Sequence, residues 1–175
     1  MIEKKIFSFA ASIIKFFIFF LIFSNTYADN SNKKYFENEQ GILSLMYHRF
    51  NENDYPSTNI KMEIFKKHIE IMQNNKHDFI DPKNFANNFY NIKKQKKILL
   101  TVDDAFSSFY ENAWPYLKEK RIPFILFVST QPVGNKGYMN WEQIKLVEKE
   151  DFAYIGNHSH SHKYLINYDF ENFKK

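Results

Sequence analysis

The 175-residue chain contains no cysteine, so a disulfide framework is excluded and stability must come from packing. Arginine is nearly absent, since Arg49 and Arg121 are the only two. The formal charge is +4 for the whole chain, and residues 1–28, with three lysines and one glutamate, account for half of it. So small an excess gives little support to nucleic-acid binding. The chain also lacks a turn-rich stretch or a break in composition, which predicts one folded domain.

The amino terminus carries the one long apolar stretch of the chain. Residues 6–23 are apolar apart from Lys15, and they follow two lysines at positions 4 and 5. The small residues Thr26 and Ala28 fit an export signal cut before Asp29, which predicts a signal peptide over 1–28 and a periplasmic or extracellular protein. An uncleaved membrane anchor is the alternative, although a lysine near the middle of a span is costly. Residues 29–40 are polar and are predicted to form a flexible lead.

Short apolar runs alternate with helical patterns from residue 41 onwards. The predicted strands cover 41–47, 79–80, 98–102, 123–129 and 152–155, and the first is expected to be covered on both faces. This β-α alternation predicts an α/β fold with parallel strands and right-handed crossovers.

The helices are predicted from apolar spacing and from their end signals. Met62, Phe65, Ile69 and Met72 form one stripe of a helix that starts at Thr58 or Asn59 and stops near residues 74–75. Three later starts carry capping signals, namely Asp81 before Pro82, Ser108 with Glu111 as a capping box, and Asn140 with Gln143 as a second box. Pro115 is expected to kink the helix that it occupies.

Two groups of metal-ligand residues follow predicted strands. Asp103 and Asp104 end the run 98–102, and His158 and His162 follow the run 152–155. Sites in parallel α/β folds collect at the carboxyl ends of strands, so these side chains are expected on one rim. Oxygen and imidazole ligands suit a divalent metal that keeps an open position for water. If Asp104 and the two histidines bind the ion, Asp103 remains free to take a proton from the bound water, which is the equipment for metal-assisted hydrolysis.

These residues carry a resemblance to a known family. Thr101-Val102-Asp103-Asp104-Ala105 resembles the Thr-Phe-Asp-Asp-Gly signature of the polysaccharide deacetylases, also called carbohydrate esterase family 4 or the NodB homology domain. Residues 155–162 resemble its second signature, Gly-Asn-His-Ser/Thr-x-x-His, in the same order and at a similar separation. Residues 45–48 (Leu-Met-Tyr-His) resemble the first strand of the branch that contains poly-N-acetylglucosamine deacetylases.

The resemblance implies a distorted, incomplete (β/α) barrel, with its first half to two-thirds present as a partial domain over 41–175. It also implies a hydrolase that removes acetyl groups from a polysaccharide of the N-acetylglucosamine type. By position, Asp103 is the general base, and Asp104, His158 and His162 bind Zn²⁺ or another divalent ion such as Co²⁺, Ni²⁺ or Fe²⁺. The metal would polarise the acetyl carbonyl and bind the attacking water.

The chain also departs from the family pattern. Ala105 replaces glycine, so we expect the backbone there to avoid conformations that only glycine accepts easily. No Arg-Pro-Tyr-like motif, acetate pocket or second histidine acting as general acid follows His162, and the open strand edges that result predict poor stability. His160 is expected to face solvent or to lie behind the ligands. His48 could reach the rim, although a satisfied strand-end histidine is the simpler interpretation, and His68 and His77 carry no prediction.

The sequence leaves one main alternative and disfavours two other functions. A truncated, noncatalytic remnant that binds metal or sugar without turnover is the main alternative. A zinc protease is disfavoured because Ser159 stands where that motif needs glutamate, and a lipid-binding role is disfavoured because the amino terminus is not a basic amphipathic helix. A polysaccharide is therefore the expected partner, with no nucleic acid, and a membrane only through an uncleaved amino terminus.

Overall fold

The computed structural model describes residues 41–90 and 96–169. The predicted signal peptide or anchor over 1–28 and the predicted lead over 29–40 lie outside the described residues. None of the helices in the described part combines the length and the apolar character that a membrane span requires.

Seven strands and four α-helices alternate along the described chain. The strands are β1 (Gly41–Tyr47), β2 (Arg49–Phe50), β3 (Asn59–Ile60), β4 (Asp78–Phe79), β5 (Lys96–Asp103), β6 (Phe124–Val128) and β7 (Ala153–Asn157). The α-helices are α1 (Met62–Asn74), α2 (Phe85–Tyr90), α3 (Trp114–Lys120) and α4 (Trp141–Glu148). A 3₁₀ turn at Pro82–Asn84, a π-helical turn at Phe109–Ala113 and a 3₁₀ turn at Leu165–Asn167 complete the set.

The main sheet is parallel and runs in the order β1-β5-β6-β7, with β4 paired to the first part of β5. β2 and β3 form a separate parallel pair. The predicted α/β class and parallel strands are confirmed, and within the described residues the sheet stays open and does not close into a barrel.

Side-chain alternation divides the sheet into two faces. Leu100, Val102 and Leu126 are fully buried on the face that the helices cover. Phe50, Phe65, Phe109 and Phe124 fill the space between sheet and helices and are also fully buried. On the other face, Asp103 pairs with Phe127, and Phe127 pairs with Gly156, which leads towards His158. The helical layer therefore supports the sheet while this second face carries the polar site.

The prediction that β1 is covered on both faces is wrong. Leu43 is 51% exposed and Met46 is 62% exposed. β1 pairs with β5 along one edge, and it lies at the end of the sheet among the described strands. An apolar sequence alone cannot separate an edge strand from a central one.

Two predicted helix starts also differ from the structure. The first helix begins at Met62 instead of at Thr58 or Asn59, because the Asn59 side chain bonds the backbone of Glu52 in the loop between β2 and β3. Ser108 does not cap the helix after β5. Its Oγ accepts a hydrogen bond from the backbone N–H of Phe50 at 3.2 Å, so a long-range partner replaces the predicted capping box.

Pro115 coincides with a change of helix type. The π-helical turn ends at Ala113, and α3 starts at Trp114 with the proline in its first turn. Proline has no N–H to donate to the preceding turn, so a break in the ladder at this place is expected. The predictions at the two other starts are confirmed: Asp81 Oδ1 accepts from Lys83 N, and Asn140 and Gln143 form a reciprocal capping box.

Candidate metal centre

The carboxyl ends of β5 and β7 bring the predicted site residues together. Asp103 is the last residue of β5, and Asp104 follows it. β7 ends at Asn157, directly before His158. The strands are parallel and separated by β6 alone, so their ends lie on one rim. The sequence-predicted acids and histidines are therefore neighbours in space.

Three of these side chains present donor atoms to one point. The Nε2 atoms of His158 and His162 are 3.0 Å apart, and Asp104 Oδ1 lies 3.5 Å from the first and 3.6 Å from the second. In a tetrahedral zinc site with bonds of about 2.0–2.1 Å, ligand atoms are separated by about 3.3–3.4 Å. The three atoms thus have the spacing of one face of such a tetrahedron, and this group could hold a metal ion.

The backbone of both ligand segments is strained. Asp104 and Ala105 have φ of 72° and 55°, and Ser159 and His162 have φ of 65° and 49°. Residues with side chains adopt this left-handed region at a cost of roughly 1–2 kcal/mol. The expectation that Ala105 avoids a glycine-like conformation is wrong, because the turn that aims the adjacent carboxylate needs positive φ there. Such clusters are typical of functional sites whose surroundings hold them in place.

Hydrogen bonds to the last residue of β6 and to the segment after it hold the histidine loop. His158 N donates to Val128 O at 3.0 Å, and Gln131 N donates to His160 O at 2.8 Å. Ser129 Oγ donates to His158 O at 2.9 Å. His160 is exposed and its Nδ1 lies 2.8 Å from Thr130 Oγ1. The third histidine therefore fastens the loop from outside and does not join the three donor atoms.

Asp103 lies beside this group in a drier environment. Its side chain is 10% exposed, and its Oδ1 is buried without a hydrogen-bond partner among the described residues. Burial raises the pKa of the carboxyl, and the charges of His158 and His48 act in the opposite direction without cancelling it. Its Oδ2 is 3.9 Å from His158 Nε2. A raised pKa makes the ionised carboxylate a stronger base, and an unpartnered buried oxygen suits a site that is completed by a ligand.

His48 lies beside the site, although the sequence favours a satisfied strand-end histidine at this position. It follows Tyr47, which pairs with Val102, so it emerges next to Asp103 on the rim. It is half-buried, and its charge lowers the pKa of Asp103. The signal was present in the sequence, because β1 and β5 end at the same level when their apolar runs are aligned. His68, by contrast, bonds the Tyr47 hydroxyl at 2.9 Å on the helical side of the sheet.

Comparisons with known proteins agree on one family. Residues 90–175 match the family model described as polysaccharide deacetylase. The chain is 26% identical over 145 residues to the poly-beta-1,6-N-acetyl-D-glucosamine N-deacetylase of Staphylococcus aureus, which covers 73% of this chain and 49% of that protein.

Solved structures extend the likeness to the fold. IcaB from Ammonifex degensii superposes with a TM-score of 0.64 at 27% identity, over 75% of this chain and 57% of that one. Streptococcus pyogenes deacetylase PplD, solved in complex with acetate, superposes with a TM-score of 0.63 at 22% identity, over 73% of this chain and 60% of that one. This likeness shows that the two chains share a fold. The chain spans about half the length of the curated relatives it matches.

Proposed function

We propose that this protein hydrolyses acetyl groups from a polysaccharide of N-acetylglucosamine units, because residues 90–175 match the polysaccharide deacetylase family model and the relatives found are deacetylases. The observation that carries the proposal is the convergence of Asp104, His158 and His162 on one point beside the buried carboxyl of Asp103. The S. aureus relative is named for poly-beta-1,6-N-acetyl-D-glucosamine, so that polymer is the proposed substrate. The proposed domain covers residues 41–175.

The proposed ligands are Asp104, His158 and His162, and the proposed ion is Zn²⁺ or another divalent metal. Two imidazoles and one carboxylate form a donor set that catalytic zinc sites use, with a position left for water. When bound, the ion would polarise the acetyl carbonyl and make a water molecule at the site more acidic. Selectivity between Zn²⁺ and Co²⁺, Ni²⁺ or Fe²⁺ at such a site depends on geometry, ligand type and metal availability more than on raw affinity.

Asp103 and His48 are proposed to move the protons. Asp103 accepts one proton from the attacking water, for which its raised pKa is suited. Water oxygen forms the new bond to the acetyl carbon, and the carbon–nitrogen bond then breaks. The departing nitrogen needs a proton to leave as the amine of glucosamine. His48 follows β1, which lies on the side of β5 opposite to β6, and it is proposed to donate that proton.

The proposal is tested by acetate release from β-1,6-linked N-acetylglucosamine oligomers in the presence of zinc. Asp103→Asn should abolish release and keep zinc stoichiometry at one per chain, because it removes the base and leaves the three ligands. His48→Ala should lower the rate and leave zinc binding unchanged, and His77→Ala serves as a control. Zinc binding without any release by the unaltered protein would instead favour the noncatalytic alternative.

We also propose that the protein is exported, with residues 1–28 removed before Asp29. The apolar stretch and the small residues before that position support this proposal. Amino-terminal sequencing of protein recovered from the periplasm or medium should begin at Asp29. Recovery of the intact chain in the membrane fraction would support the anchor instead.

A further inference from the structure

A cavity of about 490 Å³ lies on the same rim as the metal centre. Three segments line it, and they follow the carboxyl ends of β1, β5 and β6. Arg49, Glu52 and Tyr55 follow β1, Ser107 and Glu111 follow β5, and Lys136 and Tyr138 follow β6. Its volume falls in the range of small-molecule sites.

The cavity and the metal centre share a wall. Phe106 follows Ala105 directly and is buried between Arg49, whose guanidinium lies 3.5 Å from its ring centre, and Tyr138, whose ring centre is 4.9 Å away. Ser107 on the cavity side is three residues from Asp104, so their Cα atoms are separated by at most about 11 Å. A polymer whose acetyl group lies at the metal centre can therefore reach this cavity with a neighbouring unit.

The cavity is held in its shape by hydrogen bonds that involve no ligand. The backbone N–H of Phe50 donates to Ser108 Oγ at 3.2 Å, and Asn112 Nδ2 donates to Phe50 O at 3.2 Å. Ser107 N donates to Gly137 O at 2.9 Å. Because all three loops are tied to one another, a ligand need not pay for ordering them, which favours binding.

The lining favours a neutral, polyhydroxylated ligand. It has two cationic side chains, Arg49 and Lys136, and two carboxylates, Glu52 and Glu111. Arg49 donates to Glu52 at 2.9 Å, and its flat face is covered by the Tyr55 ring at 4.2 Å. A guanidinium has five N–H donors, so the pair leaves donors for hydroxyl groups. Tyr55 is 58% exposed and offers a ring for stacking against the apolar face of a sugar.

Glu111 is the acceptor that this arrangement leaves available. The predicted capping box pairs Glu111 with Ser108, but Ser108 accepts from the backbone N–H of Phe50 instead, and no side-chain cap is formed there. The carboxylate is exposed on the cavity wall. A carboxylate with two oxygens can accept several hydroxyl hydrogen bonds.

We propose that this cavity is a subsite that binds a neighbouring N-acetylglucosamine unit of the polymer being deacetylated, with Glu111 accepting its hydroxyl hydrogen bonds and Tyr55 stacking on its ring. The inference rests on the proposed function, because it assumes that the metal centre acts on a sugar polymer. It assigns the subsite the role of favouring long substrates over short ones.

Binding to metal-free protein tests the subsite without requiring catalysis. In calorimetric titrations with a β-1,6-linked N-acetylglucosamine tetramer, Tyr55→Ala and Glu111→Ala should each weaken binding about three- to tenfold, the loss of one hydrogen bond or stacking contact. Tyr90→Ala and Glu148→Ala, exposed residues outside the cavity lining, are the matched controls. Unaltered affinity in the two subsite variants, or no binding by the unaltered protein, would overturn the proposal.

Glu111→Gln decides the charge of the ligand. A neutral sugar hydroxyl can donate to the amide oxygen, so this variant should bind the acetylated tetramer within about threefold of the unaltered protein. If the fully deacetylated tetramer binds more tightly and Glu111→Gln loses that preference, the cavity binds an amine and the neutral-sugar assignment fails. Melting temperatures of all variants identify any that fail to fold.

Measurements of catalysis provide a second test of the subsite. With zinc bound, Tyr55→Ala and Glu111→Ala should lower kcat/KM about three- to tenfold for the tetramer and leave the value for the single sugar unchanged. Equal losses on both substrates would contradict a separate subsite while leaving the proposed function intact. Absence of acetate release from every substrate would contradict the proposed function, and the titrations on metal-free protein would still decide the subsite.

Discussion

Adding a divalent metal to chelator-treated protein is expected to raise its melting temperature, because the donor atoms of Asp104, His158 and His162 converge only in the folded chain. An ion that binds the native state alone stabilises it by RT ln(1 + [L]/Kd). At a free concentration one hundred times Kd, this amounts to about 2.7 kcal/mol. For a domain of this size, 1 kcal/mol corresponds to about 2–4 °C. We therefore expect an increase of about 5–11 °C.

His162→Ala provides the matched perturbation. It removes one of the three donor atoms, which are separated by 3.0, 3.5 and 3.6 Å. If binding weakens a hundredfold, the same free concentration stabilises the protein by only about 0.4 kcal/mol, or about 1–2 °C. His77→Ala, which alters a histidine outside the site, should retain the full increase.

Differential scanning calorimetry with zinc buffered by a chelator gives the shift, and equilibrium dialysis gives the stoichiometry. The reasoning is refuted if the unaltered protein shows no increase, or if His162→Ala shows the same increase as the unaltered protein. In either case the three donor atoms would not act together on one ion.

Three further predictions concern stability. In metal-free protein, burial raises the Asp103 pKa. At pH values between the ordinary and the raised pKa, the native chain therefore keeps a proton that the unfolded chain has lost. The free energy of unfolding consequently falls as the pH rises through that window. Asp103→Asn should remove this slope in urea titrations across that window and raise the free energy of unfolding at pH values above it, and an unchanged slope would contradict the prediction. Gly156→Ala should cost about 1–3 kcal/mol, because its Cβ would stand 2.4 Å from Cδ1 of Phe127; a melting temperature equal to that of the unaltered protein would show that the ring moves freely. Asn140→Ala should cost about 1 kcal/mol through loss of the capping box on α4, while Asn140→Asp should cost little, and equal losses in the two would point away from capping.

The parts of the fold that depend on local signals were predictable from the sequence. β5 and β6 are buried apolar runs of strand length, and the box at Asn140 closes over three residues. Ser108 carries the same local signal, but the capping box predicted there is wrong, because the backbone N–H of a residue 58 positions away donates to its hydroxyl. A local pattern predicts which hydrogen bonds a residue can form, and the tertiary structure determines which of them it does form.

The candidate metal centre was predictable for a topological reason, and the cavity beside it was not. Parallel strands place their carboxyl ends on one rim, so Asp104 and His158 could be expected to meet. The left-handed backbone of Asp104, Ala105, Ser159 and His162 could not be foreseen, because none of these positions is a glycine. The cavity is built from three loops without periodicity, and its members, such as Tyr55 and Glu111, carry no motif.

The order of the strands has a consequence for the apo protein. β5 and β7 share no backbone ladder, because β6 lies between them. An ion coordinated by Asp104 and by both histidines would act as a cross-link over that central strand, and within the described residues β7 lies at the margin of the sheet. Chelation of such an ion should therefore accelerate amide hydrogen exchange most in β7 and its loop, and least in β5, so that its removal first loosens the margin of the sheet and spares the centre.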